Sequence, residues 1–85
     1  MNIFLHKDFK RGYKKLTKTQ KEKFKERRSL FLQDQFNPIL NNHALSGKYK
    51  GYRSINVTGD LRIIYKVQEE KVVFVKIGSH STLYG

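Results

Sequence analysis

The chain has no cysteine, a single proline, only seven acidic residues and no long apolar run among its 85 residues. The absence of cysteine excludes disulfides, thiolate metal sites and thiol nucleophiles. No apolar stretch approaches the roughly 18 residues of a membrane-spanning helix, and the first residues have no signal-peptide pattern, so we expect a cytoplasmic protein. The length predicts a single domain over residues 1–85 with a modest core.

The charge is strongly basic, since 18 Lys and Arg side chains against seven Asp and Glu give a net charge of +11. The excess covers both halves of the chain and is not a detachable tail. A folded domain with this field attracts polyanions, because basic groups release counterions from phosphates. The charge therefore predicts a nucleic-acid partner, an acidic protein partner, or a basic helix that is merely solvated.

The N-terminal half predicts a short edge strand over residues 3–5 followed by a helical hairpin. The first helix starts at Lys7, where apolar residues recur at helical spacing, namely Phe9, Tyr13 and Leu16. Capping-box patterns place the start of the second helix at residues 17–19, and Asn37-Pro38 is expected to end it. The predicted buried stripe of this second helix is Phe24, the stem of Arg28, Phe31 and Leu32, with Arg27 in solvent.

The C-terminal half changes to a period of two residues, which is typical of strands. A loop over residues 41–51 precedes strand candidates at residues 52–57, 61–67 and 72–77, joined as an antiparallel meander. One face of the middle strand holds four residues, Leu61, Ile63, Tyr65 and Val67, and Arg62 points to the opposite, open face. The expected fold class is α+β, an N-terminal helical hairpin packed on one face of a small antiparallel β-sheet.

The polar residues at the strand edges suit RNA cleavage through the internal 2′-hydroxyl. That reaction needs a proton acceptor, charge stabilisation on the phosphate and a proton donor for the leaving oxygen. Histidine, whose unperturbed pKa is about 6.5, suits the proton transfers, and the arginine fork suits the phosphate. Tyrosine stacks on bases. The candidates are His80, His43, Arg62 and Tyr84, with Lys48, Lys50 and Arg53 nearby.

Each candidate also has a structural interpretation. Arg62 can form a surface ion pair with Asp60 or Glu69, Asp60 can serve only the turn, and His80 can simply cap a strand. No metal site is predicted, because the three histidines are far apart in sequence. Composition and spacing alone indicate a basic α+β domain that binds nucleic acid.

Three sequence blocks together resemble the YafQ branch of the RelE/ParE superfamily of bacterial toxins. The blocks are His43-x-Leu45-x-Gly47-x-Tyr49-x-Gly51-Tyr52-Arg53, then Asp60 before a strand ending Ile64-Tyr65-Lys66, and Gly78-Ser79-His80-Ser81 with Leu83-Tyr84. The resemblance implies a RelE-like fold and a ribosome-dependent mRNA endonuclease that uses no metal or cofactor. It also implies an acidic antitoxin as partner. By this match His43, Asp60, His80 and Tyr84 fall on active-site positions, with Tyr84 replacing a usual phenylalanine, and Arg62 is similar to an arginine of the RelE and YoeB branches.

Two positions depart from that pattern. Relatives commonly place an acid and a histidine where this chain has Ser54 and Asn56, and neither replacement exchanges a proton near neutral pH. Either the chemistry rests on His80, His43 and Arg62, or the protein cleaves slowly or acts elsewhere. In the last case it is a non-cleaving toxin, such as a ParE-like gyrase inhibitor, or a basic nucleic-acid-binding module.

Overall fold

The chain is described over residues 2–84 by a computed structural model with five strands and three helices. The strands are β1 (Ile3–Leu5), β2 (His43–Ala44), β3 (Arg53–Asn56), β4 (Leu61–Gln68) and β5 (Lys71–Ser79). The helices are α1 (Lys7–Lys14), α2 (Lys18–Gln33) and α3 (His80–Tyr84). Two 3₁₀ turns, Pro38–Leu40 and Gly47–Tyr49, lie on either side of β2.

The five strands form one sheet in the order β1-β5-β4-β3-β2. Strands β3, β4 and β5 pair antiparallel, as the meander predicted. The two-residue β2 lies in the segment predicted as a loop and pairs antiparallel to β3. Strand β1 pairs parallel to β5, because α1 and α2 carry the chain away from β1 before the other strands begin. The predicted α+β class is therefore confirmed, and the parallel edge strand makes the sheet mixed rather than purely antiparallel.

The start of α2 is a capping box, as the sequence predicted. Thr17 Oγ1 accepts from the Gln20 amide at 3.1 Å, and the Thr17 amide donates to Gln20 Oε1 at 2.9 Å. The predicted end at Asn37-Pro38 is wrong, because the backbone of Asp34 is already extended and α2 stops at Gln33. Asn37 instead caps the following turn by accepting from the Ile39 amide.

The core lies between the hairpin and one face of the sheet, and interlocking aromatic rings fill its centre. The ring of Phe9 lies 5.5 Å from that of Phe24 and 5.7 Å from that of Phe74. The ring of Phe31 lies 5.2 Å from that of Tyr65 on β4. Such tilted and edge-on pairs contribute about 0.5–1.5 kcal/mol each beyond the area they bury. The pattern that predicted a core role for these helix residues is confirmed.

Helix α1 approaches β5 unusually closely at Gly12. A Cβ atom on Gly12 would lie 2.5 Å from the carbonyl oxygen of Ile77, which is closer than atoms in contact can stand. Only the missing side chain lets the helix rest directly on the strand that leads to α3.

The buried stripe of α2 differs from the prediction at two positions. Leu32 is 44% exposed, and Arg28 is exposed with its guanidinium 5.6 Å from the centre of the Phe24 ring. Arg27, expected in solvent, is half-buried and donates through Nε to the Val57 carbonyl at 3.2 Å. Helix α2 is therefore rotated about its axis relative to the prediction, so that Arg27 lies beside the end of β3. On β4, Val67 lies on the predicted face of the sheet, but it is 57% exposed and is not covered by the helices.

Strand β5 contains a bulge at Val75. Tyr65 pairs with Phe74, whereas its neighbour Ile64 pairs with Lys76, so Val75 has no partner opposite it on β4. The extra residue reverses the alternation along β5, and the buried positions change from Val72 and Phe74 to Ile77. As a result Lys76 faces away from the hairpin, on the same side as Ile64.

Candidate functional site

The sheet face away from the hairpin holds most of the predicted site residues in two cross-strand rows. The first row is His43, Ser54, Ile64 and Lys76, and the second is Asn56, Arg62 and Gly78. Paired residues point to the same side of a sheet. Arg62 therefore lies on the predicted face. That face is only partly open, because Ile64 is fully buried outside the hairpin-side core and Leu83 of α3 packs beside Gly78.

Helix α3, which the sequence did not predict, is fixed at both ends. At its start the His80 amide donates to the Asp60 carbonyl at 3.1 Å and to Asp60 Oδ1 at 3.4 Å. At its end the Tyr49 hydroxyl donates to the Leu83 carbonyl at 3.3 Å. Asp60 thus contacts the backbone of His80, and its geometry suits a role in positioning that residue.

The His80 side chain is exposed and lies against Tyr84 one helical turn later. Their ring centres are 4.8 Å apart, and the Tyr84 ring stands nearly perpendicular to that of Tyr49 at 5.9 Å. Tyr84 is therefore held in place and is not a loose terminal residue. The exposed imidazole is free to meet a ligand at the end of β5.

Within residues 2–84, four buried side-chain polar atoms have no hydrogen-bond partner. They are Ser54 Oγ, Asn56 Oδ1, Arg62 Nε and the Tyr84 hydroxyl. All four belong to this sheet face or to α3. Buried polar atoms are nearly always paired in folded proteins, so a cluster of unpaired ones beside an exposed histidine is typical of a polar binding site.

The guanidinium of Arg62 keeps most of its hydrogen-bonding capacity. Its one contact is a long one of 3.5 Å from Nη2 to the Gly59 carbonyl, and it forms no ion pair with another residue in the described part of the chain. The interpretation of Arg62 as a surface partner of Asp60 or Glu69 is therefore wrong. A half-buried arginine without an acid is well suited to an incoming anion.

His43 lies on the same face but at the edge strand β2. Its Nδ1 is 2.8 Å from the Asn41 carbonyl, and a carbonyl only accepts, so Nδ1 carries the proton and Nε2 of the neutral ring is an acceptor. Two strand spacings, roughly 10 Å, separate β2 from β4. His43 and His80 therefore flank the Arg62 position from opposite sides and do not touch.

The three predicted RNA-binding residues are not brought together. Lys48 and Lys50 are exposed at the turn before β3, with Lys48 Nζ 5.3 Å from the Tyr49 ring. Arg53 lies on the hairpin face instead, where its Nε donates to Asn42 Oδ1 at 2.8 Å and its guanidinium covers the Phe36 ring. Arg53 is thus separated from the site by the sheet itself.

The sequence analysis did not predict the basic aromatic surface that Tyr49 and Tyr52 form with two nearby lysines. The ring centres of Tyr49 and Tyr52 are 6.0 Å apart. Lys76 Nζ stands 5.8 Å from the Tyr49 ring, and Lys66 Nζ stands 5.8 Å from the Tyr52 ring. The two tyrosines flank Gly51 in a lysine-rich segment, which was the available signal for a basic aromatic surface.

In the part of the chain that the structure covers, no group of three His, Cys, Asp or Glu side chains is placed to hold a metal ion. No helix between residues 2 and 84 is long and apolar enough to span a membrane.

Proteins that are similar to this chain in sequence and in fold include bacterial toxins. Residues 1–85 match the family described as bacterial toxin of type II toxin–antitoxin system, YafQ. Over 47 residues the chain is 36% identical to the mRNA interferase toxin YafQ of Escherichia coli strain K12, a match of 55% of this chain and 51% of that protein. The match thus spans about half the length of the curated relatives.

The fold is similar to that of YafQ along nearly its whole length. The crystal structure of YafQ from E. coli strain BL21(DE3) is 25% identical with a TM-score of 0.85, covering 99% of this chain and 98% of that one. YafQ in the E. coli DinJ-YafQ toxin-antitoxin complex is 26% identical with a TM-score of 0.81, covering 99% and 97%. The resemblance carried by the three sequence blocks is confirmed, and the chain belongs to the YafQ family of bacterial toxins of type II toxin–antitoxin systems.

Proposed function

We propose that residues 1–85 form one toxin domain that acts in the cytoplasm as a ribosome-dependent mRNA endonuclease. The observation that carries the proposal is the unpaired polar cluster next to His80, with Arg62 Nε and Asn56 Oδ1 buried and without partners. Family membership and the names of the E. coli relatives support the same activity.

The proposed reaction is attack of the 2′-oxygen on the neighbouring phosphorus. A bond forms from O2′ to phosphorus, the bond from phosphorus to O5′ breaks, and the products are a 2′,3′-cyclic phosphate and a 5′-hydroxyl. The 2′ proton leaves to a base, and a proton is given to O5′. His80 and His43 are the proposed proton-transfer groups, since each has an imidazole nitrogen free for a ligand.

Arg62 is the proposed stabiliser of negative charge on the phosphate. Its planar guanidinium suits a phosphate and is half-buried, where a charge interaction is less screened than at the surface. Tyr84 is proposed to contact the substrate through its hydroxyl or ring, and Asp60 to position His80. Because imidazole and guanidinium supply proton transfer and charge stabilisation, the proposed mechanism uses no metal.

Dependence on the ribosome follows from how few reacting groups the site has. Holding the 2′-oxygen in line with the leaving oxygen can supply several kcal/mol of the barrier. A small basic protein without a deep cleft gains that positioning from a ribosome that already holds the mRNA.

Cleavage assays on translated and naked mRNA test this proposal. We expect clear cleavage when the purified protein is added to translating ribosomes and little cleavage of the same RNA alone. The rate of cleavage should not change when EDTA is added while enough magnesium is kept to hold the ribosomes intact. His80→Ala serves as the inactive control. Equal rates on both RNA samples would contradict ribosome dependence.

We also propose an acidic antitoxin as partner. A groove of about 380 Å³ between β1, α1 and α2 has an apolar floor and a basic rim. The floor is Leu5, Phe9, Tyr13 and Phe24, and the rim is Lys10, Lys14, Lys25 and Arg28. An amphipathic acidic segment complements both. Co-expression of an acidic protein encoded in the adjacent reading frame should restore growth, and Lys14→Glu with Arg28→Glu should weaken that rescue.

A second candidate function is that of a non-cleaving toxin of the ParE type. Ser54 and Asn56 favour it, because they remove an acid and an imidazole from positions where relatives have them. Expression in cells separates the two candidates. Arrested translation with cut mRNA supports the nuclease, whereas failing DNA replication or supercoiling with intact translation supports the gyrase inhibitor.

A further inference from the structure

A line of aromatic rings crosses the site face from α3 towards the β1 edge. The Tyr84 ring contacts that of Tyr49 at 5.9 Å, and the Tyr49 ring contacts that of Tyr52 at 6.0 Å. From there a cross-strand row of Lys66, Val73 and Phe4 continues to β1. We call Tyr84, Tyr49, Tyr52 and Phe4, with the lysines over them, the aromatic track.

Lysines cover three of the four rings of the track. Lys48 and Lys76 stand 5.3 and 5.8 Å from the centre of the Tyr49 ring, Lys66 stands 5.8 Å from that of Tyr52, and Lys71 stands 5.4 Å from that of Phe4. Phe4 at the far end is 46% exposed. A lysine over an exposed ring is held weakly, so an incoming base can take the ring face while the ammonium moves to a phosphate.

We propose that the aromatic track binds the single-stranded mRNA that flanks the cleaved bond. Single-stranded RNA is recognised by aromatic faces that stack on its bases together with cations that follow its backbone. The track offers both in alternation, and its α3 end carries His80. This assignment rests on the proposed nuclease function, because it makes the track the binding extension of that site.

The alternation of rings and lysines favours RNA over an acidic polypeptide. Carboxylates need only the ammonium groups, and ring faces add nothing to their binding, whereas each stacked base gains from a ring. The site face therefore differs from the groove of the hairpin, where the rings form a floor and the cations a rim.

Binding of uncleavable RNA tests the track. Labelled 2′-O-methyl oligoribonucleotides of about four and about ten nucleotides cover the lower and middle range of single-strand sites, and their Kd is measured by fluorescence anisotropy. Phe4→Ala should raise the Kd of the longer RNA about tenfold and leave that of the shorter RNA unchanged. Lys71→Gln should lower the slope of log Kd against log salt by about 0.7.

Phe36→Ala is the matched control. Phe36 is also an exposed phenylalanine, 62% accessible, with the Arg53 guanidinium 5.5 Å from its ring, but it lies on the hairpin side. Its removal should not change RNA binding. The proposal fails if Phe4→Ala and Lys71→Gln both bind the longer RNA like the wild type, or if Phe36→Ala weakens binding as much. Thermal unfolding of each variant excludes loss of the fold.

Four further outcomes assign the face differently or separate this inference from the nuclease. Polyglutamate that displaces RNA equally from wild type and Phe4→Ala would assign the face to an acidic polypeptide. Phe4→Ala that loses ribosome binding but not oligonucleotide binding would assign it to ribosomal RNA, and both results overturn the proposal. RNA binding that depends on Phe4, without cleavage of translated mRNA, would support the track and refute the nuclease. Normal cleavage with RNA binding that does not depend on Phe4 would support the nuclease and refute the track.

Discussion

Asn56 and Arg62 stand directly opposite each other on β3 and β4, and although Asn56 Oδ1 accepts and Arg62 Nε donates, neither atom has a hydrogen-bond partner. Two complementary buried groups left unpaired side by side are costly, by about 1–3 kcal/mol for each group. Their arrangement is explained if both are directed at a ligand. Asn56 is therefore part of the same polar cluster as Arg62.

Arg62→Ala should lower the cleavage rate on translated mRNA by about 10²–10³, the loss typical of removing one charge-stabilising donor. The free energy of unfolding should not fall, because the buried Nε has no partner to lose and its removal relieves the cost of an unpaired donor. Arg53→Ala is the matched control: it removes the bond to Asn42 and should lower stability while the rate remains near that of the wild type. An equal loss of rate in both variants would argue against a specific role for Arg62.

His80→Ala should also lower the rate by about 10²–10³, as expected for one acid–base group. Its ring is exposed, so the melting temperature should change little. His6→Ala provides the contrast, because His6 caps α1 by accepting from the Asp8 amide at 3.0 Å. That variant should lose about 0.5–2 kcal/mol of stability and retain its rate. Full activity in His80→Ala would remove His80 from the mechanism.

Asn56→His should raise the rate of cleavage in single-turnover measurements. The substitution places a titratable ring beside Arg62 at a position that now has none, and Asn56→Gln controls for the added bulk. If the histidine variant cleaves no faster than the glutamine variant, proton transfer at this position is not limiting.

Gly12→Ala should destabilise the fold by about 1–3 kcal/mol, the usual cost of overpacking, although alanine is the better helix former. The added Cβ would meet the Ile77 carbonyl at 2.5 Å. Gly59→Ala is the control, since a Cβ there meets nothing within 4 Å. Thermal or urea denaturation of the two variants gives the comparison, and equal midpoints would mean that α1 shifts without cost.

Local patterns in the sequence predicted most of the fold. The helical spacing of Phe9 and Tyr13, the capping box at Thr17 and the alternation in β4 depend on neighbours in the chain, and all three are present in the structure. The end of α2, the two-residue strand β2 and helix α3 depend on contacts between distant residues. Tyr49 and Leu83, for example, are 34 positions apart, and no local pattern indicates that they meet.

The site divides in the same way. Sequence blocks identified His80, Arg62, Asp60 and Tyr84, which the structure places at one end of the sheet. The sequence blocks could not show that Arg53 lies on the opposite face of the sheet from the other site residues, because the side of a strand that a residue faces depends on register. They also could not reveal that Ser54 and the Oδ1 atom of Asn56 are buried on the same sheet face as Arg62, because burial is a property of the packed sheet.

The bulge at Val75 gives β5 one place where a residue can be lost without harm. Tyr65 and Ile64 are neighbours, and their partners Phe74 and Lys76 are separated only by Val75, so deletion of Val75 leaves every pair and both faces as they are. Deletion of Ile77 instead moves Gly78 opposite Ile63 and draws the start of α3 one position along the strand. A residue lost at the bulge therefore leaves His80 in place. A residue lost between the bulge and α3 displaces it.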